Sequence, residues 1–116
     1  MKLTKMLGAA LAAAALAAPA PAAAQDEAET VTKVRSLGLG IGNAYVCTPI
    51  EGRDVFKEQV HHLFDLIVQD VGSDIGFIYA TAVGYGSAAP RDRLDCDAML
   101  AQWSDIVTNY ELETEE

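Results

Sequence analysis

DVFKEQVHHLFDLIVQDV, residues Asp54 to Val71, decides the fold class. At about 100° per residue, Phe56, Val60, Leu63, Phe64, Ile67 and Val71 gather on one side of a helix, and Asp54, Glu58, His61, His62, Asp65 and Gln69 on the other. A stripe of that width needs apolar surface to cover it. The flanking sequence supplies three more helical segments and no pair of convincing strands, so the expectation is an all-α domain of four helices.

Working outward, Thr48-Pro49-Ile50-Glu51 reads as a capping box ahead of the central helix, with Gly52 delaying the regular helix to Arg53. Gly72 reads as its C-terminal αL cap. Ser73 then caps a third helix, Asp74 to Gly86, with Asp74 in the favourable first turn. Gly76, Ala80, Gly84 and Ala88 recur every four residues in it, a ridge for close helix packing opposite Phe77, Ile78, Thr81 and Tyr85. A loop from Gly86 to Arg91 leads to a cap at Asp92 and a fourth helix carrying Cys96, Met99, Leu100, Trp103, Ile106, Val107 and Tyr110 at helical spacing.

Upstream, Val31 to Val46 forms the first helix, with Val34, Leu37, Ile41, Ala44 and Tyr45 inward. Gly38, Gly40 and Gly42 oppose this, since each interior glycine costs about 1 kcal/mol relative to alanine. Their alternation with Leu37, Leu39 and Ile41 would also suit a strand, but no second strand exists to pair with it. In a helix, Gly38 and Gly42 share a face and admit a neighbouring backbone. The aromatic residues Tyr45, Phe56, Phe64, Phe77, Tyr85 and Trp103 are all expected on inner faces.

The ends of the chain are of another kind. Lys2 and Lys5 precede an alanine-dominated apolar run from Met6 to Ala18, and Ala22-Ala23-Ala24 completes a cleavage signal, so residues 1–24 read as a signal peptide and Gln25 as the mature N-terminus. The run is too short to span about 30 Å of hydrocarbon, and no cysteine follows it for lipid attachment. Export to a bacterial periplasm or beyond is the expectation. The domain organisation is then a frayed acidic start over 25–30, the helical domain over 31–110, and a disordered acidic tail over 111–116.

Without Lys2 and Lys5, six Lys+Arg face 17 Asp+Glu, a formal charge of −11. Such a surface repels nucleic acid and anionic lipid, and makes cationic proteins the natural partners, although solubility alone also explains it. A domain of about 90 residues has a narrow stability margin. Cys47 and Cys96 are the two cysteines, and in an oxidising compartment they are expected to form one disulfide closing a loop of about 50 residues. The alternative, two free thiols, lacks the C-x-x-C spacing of redox chemistry.

Chemistry-bearing motifs are few. Glu58, His61 and Asp65 align at i, i+3 and i+7 on the polar face, a weak candidate for holding a divalent metal; a solvated polar face explains the same residues without one and is the preferred reading. A di-metal bundle would need a second E-x-x-H, and Asp92, Asp95 and Asp97 lack the spacing of a calcium loop. No G-x-S-x-G, phosphate-cradling loop or dinucleotide fingerprint occurs. The expectation is therefore no enzyme and no cofactor.

In size, export, acidic helical composition and two cysteines about 50 residues apart, the chain resembles the acid-stress periplasmic chaperones of the HdeA type. It departs from them in ending on an acidic tail rather than a lysine-rich helix. It also resembles the small disulfide-bonded helical immunity proteins that block secreted toxins. Both resemblances imply a protein that acts by non-catalytic binding of another protein. A small-molecule or metal carrier, using the Glu58, His61, Asp65 face or an interhelical pocket, and a structural envelope component are the readings from other classes.

Overall fold

The computed structural model describes Pro19 to Glu113, with side chains from Asp26 onward. Among the described residues the chain forms four α-helices and no strand, the expected all-α domain with one disulfide. They are α1 (Pro19–Cys47), α2 (Arg53–Val71), α3 (Ser73–Gly86) and α4 (Cys96–Asn109), with short 3-10 turns at Ile50–Gly52 and Arg91–Arg93.

α2 forms as its periodicity dictates: Phe56, Leu63 and Ile67 are buried, while Glu58, His61, His62 and Asp65 face outward. Its N-terminal corner is held differently from the expected capping box. The Thr48 hydroxyl donates back to the Ala44 carbonyl (2.8 Å), and Arg53 Nε donates to the Thr48 carbonyl (3.1 Å) while its guanidinium stacks 4.9 Å from the Tyr45 ring. At the other end Gly72 donates to the Val68 carbonyl. It has φ 99° and ψ 167°, a glycine-only conformation distinct from an αL cap, and it turns the chain straight into α3 without a Ser73 side-chain cap.

α3 runs antiparallel to α2, tied by Tyr79 Oη donating to the Val60 carbonyl at 3.1 Å. It runs parallel to α1, because Gly38 lies against Tyr79 and Ala82 and Gly42 lies one turn further against Val83 and Gly86. This contact answers the glycine problem in α1. The propensity lost at Gly38 and Gly42 is recovered by backbone-to-backbone packing that a Cβ would prevent. α4 starts where Cys96 is bonded to Cys47, Cα atoms 5.3 Å apart, and returns antiparallel along α1. Phe56 joins the layers, with its ring 4.4 Å from Trp103 of α4 and 5.6 Å from Tyr45 of α1.

Both ends of the domain are more ordered than their acidity suggests. α1 already includes Gln25 to Thr30, and Asp26 and Thr30 are buried, with the Thr30 hydroxyl donating to the Asp26 carbonyl at 2.9 Å. Ala28, Glu27 and Glu29 are strong helix formers, and extending an existing helix needs no new nucleus. The expected signal peptide over residues 1–24 lies mostly outside the described residues.

α4 is capped by Asp95, whose carboxylate accepts from the Ala98 amide at 3.2 Å, because Asp92 falls in the preceding 3-10 turn. It ends in a Schellman motif: Glu111 has φ 57°, the Leu112 amide donates to the Val107 carbonyl, and the Glu111 amide donates to the Thr108 carbonyl. The tail was expected to be disordered from residue 111. Instead the motif turns Leu112 inward, where it is fully buried.

Candidate functional site

An apolar groove lies between α1 and α4. Val34, Leu37 and Ile41 recur at i, i+3 and i+7 on one wall, and Met99, Trp103, Ile106 and Tyr110 at i, i+4, i+7 and i+11 on the other. Gly40 keeps it open. A Cβ built on Gly40 would meet nothing within 4 Å, so α1 lacks side-chain volume where it faces α4. The groove holds about 540 Å³, within the range of pockets that take a drug-sized molecule or a few side chains of a partner.

Apart from the Trp103 indole and the Tyr110 phenol, the polar side chains lining the groove are Lys33 and Ser36 of α1 and Gln102 and Asp105 of α4, all exposed. Beyond these the two walls differ in charge. Among the described residues from Asp95 onward, Asp95, Asp97, Asp105, Glu111 and Glu113 are all exposed, and none is Lys or Arg. An apolar trough with an acidic flank favours an amphipathic, cationic occupant. Burial raises the Tyr110 phenol above its ordinary 10.0, so it stays a neutral hydrogen-bonding group at physiological pH.

The other residues singled out from sequence scatter over the molecule. Glu58, His61 and Asp65 are exposed on α2, and among the described residues no group of three or more His, Cys, Asp or Glu side chains is arranged to hold a metal ion. Cys47 and Cys96 are consumed in the disulfide. Gly38 and Gly42 do receive α3. Gly76 serves the opposite neighbour, where a Cβ would lie 2.6 Å from Val68 of α2.

Ala80 and Gly84, expected in a packing ridge, are exposed. Each step of four residues over-rotates by about 40°, so a ridge spaced by fours drifts off any straight contact. The stripe α3 buries is Ile75, Tyr79, Ala82 and Gly86, spaced by four, three and four. The same rotation turns out Phe77 and Tyr85, expected inside, to 73% and 74% exposure. Gly86, expected in the loop, is the real partner of Gly42. That alternating spacing was present in the sequence and would have identified it.

Among the described residues no helix is long and apolar enough to cross a membrane. The chain matches no protein-family model, no curated protein and no solved structure.

Proposed function

We propose that this is a periplasmic or secreted protein that acts without catalysis by binding a segment of another protein, which lays an apolar face in the α1–α4 groove and cationic residues against its acidic flank. The observation that carries the reading is the groove itself, about 540 Å³ of apolar surface held open at Gly40 on a strongly acidic chain. Its walls are two antiparallel helices lined over several turns, a trough suited to a helix or an extended segment. Export is supported by the signal-like residues 1–24 and by the disulfide, which belongs to an oxidising compartment. Chaperone-like and inhibitor-like roles both use such a surface.

Calorimetric titration with a cationic amphipathic peptide of about 20 residues tests the proposal. Binding is expected to weaken at least tenfold between about 0.05 and 0.5 M salt as the screening length contracts. Gly40→Leu should abolish it, because a Cβ at position 40 meets open space and the rest of the leucine then extends into the groove. Equal binding of an acidic peptide of the same pattern, or indifference to Gly40→Leu, would refute the proposal. The volume of the groove favours a second reading, a carrier of small apolar molecules. Salt-independent binding of such a ligand, lost in Gly40→Leu, with no peptide binding, would establish that reading instead.

A further inference from the structure

The outward face of α3 is unlike the rest of the surface. From Ile75 to Pro90 the chain carries no charged residue, and the outward stripe is Phe77, Thr81 and Tyr85, with Gly84 beside it. Phe77 and Tyr85 are 73% and 74% exposed, although aromatic rings supply the largest stabilisation when covered. At Gly84 the space above the backbone is empty within 4 Å, which leaves room for another helix to approach closely. α3 meets α1 and α2 through its other faces, so this surface is separate from the α1–α4 groove.

We propose that this face pairs with the same face of a second copy, the two α3 helices crossing antiparallel about a twofold axis at Thr81. Three features select that occupant. The stripe is self-complementary: Phe77 and Tyr85 stand four residues either side of Thr81, so each Phe77 meets the other copy's Tyr85 and Thr81 meets itself. Its ends differ in charge, exposed Asp74 in the first turn of α3 against the turn Arg91-Asp92-Arg93 five residues past its C-terminus, which is net positive, and antiparallel pairing sets acid against base. Finally, repulsion between two copies of a net acidic chain is low at a face that bears no charge.

The four aromatic rings together offer on the order of 600 Å² of exposed surface, against about 1,200–2,000 Å² for a stable interface. The dimer is accordingly weak and concentration-dependent. Screening of repulsion between acidic copies makes it strengthen with salt, the opposite of the response expected at the groove.

Sedimentation analysis of the full disulfide-bonded protein from about 5 to 500 µM tests this. Wild type should pass reversibly from monomer to dimer. The double variant Phe77→Ser, Tyr85→Ser should weaken dimerisation at least tenfold, at unchanged melting temperature in dilute, monomeric solution, where both side chains are already in water. A cysteine at the axis, Thr81→Cys, should cross-link with itself in mild oxidant, whereas Ser104→Cys on exposed α4 should not. A monomer throughout the range, a dimer indifferent to the double substitution, or equal cross-linking at position 104 would each overturn the proposal.

Discussion

Substituting alanine at Gly42 and at Gly40, two residues apart on α1, should change stability in opposite directions. Each replacement relieves an interior helical glycine and on propensity alone stabilises by about 1 kcal/mol. At Gly42 the new Cβ would press on the Val83 carbonyl oxygen, 2.5 Å from the Ser87 nitrogen and 2.7 Å from the Gly86 carbonyl carbon. All three are backbone atoms, so no side-chain rotation gives relief. Ordinary contact lies near 3.5–4.0 Å, so α1 and α3 would have to part by about 1 Å. Overpacking of this kind costs typically about 1–3 kcal/mol, and rigid backbone on both sides places Gly42 at or beyond the upper end. After the propensity gain, a net loss of about 2–3 kcal/mol remains, a fall in melting temperature of roughly 10–20 °C for a domain of this size. At Gly40 no atom lies within 4 Å, so the full gain survives as a rise of a few degrees. Thermal melts followed by circular dichroism, with urea titrations for free energies, give both numbers. If Gly42→Ala were stabilising, or the two variants moved together, the parallel α1–α3 contact would be wrong.

Three further outcomes follow from other parts of the fold. Replacing Cys47 and Cys96 together by alanine opens a loop with a sequence separation of 49 and should cost about 4 kcal/mol in guanidinium unfolding, a large share of the total for so small a domain. The Tyr79 phenol is pushed well above its ordinary 10.0 by burial, so above about pH 10 the unfolded chain loses a proton that the folded chain keeps. Stability should thus be level near neutrality and fall in alkali, and Tyr79→Phe, losing about 1 kcal/mol at pH 7 with the Val60 hydrogen bond, should flatten that fall. Leu112→Ala should cost about 2–4 kcal/mol by urea unfolding, whereas a freely disordered tail would show no change.

What was legible in the sequence divides along physical lines. The α2 period was plain because large apolar and charged residues alternate at full contrast, and the cysteine pairing needed only two thiols and a compartment. The rotation of α3 was not plain. Gly, Ala and Thr occur on all its sides, so small residues marked no face, and the ridge spaced by fours drew attention from the stripe of Ile75, Tyr79, Ala82 and Gly86. Leu112 was obscured by its acidic neighbours, and its burial depends on Glu111 adopting a left-handed conformation that glycine would have advertised. The groove was legible in part. Its apolar positions stand out as the inward faces of α1 and α4, but nothing in the sequence sets those two faces against each other, and three glycines in α1 look alike. Only docking of α3 onto Gly38 and Gly42 separates them from Gly40, which opens toward α4.

The central claim, that the α1–α4 groove is the binding surface, is tested most directly by mapping backbone amide shifts while a cationic amphipathic peptide is added. Perturbations should concentrate at Leu37, Gly40, Ile41, Met99 and Ile106 and at the indole of Trp103, the chain's single tryptophan. They should vanish in Gly40→Leu. Shifts confined to Glu58, His61 and Asp65 on α2, or to Phe77 and Tyr85 on α3, would contradict the account.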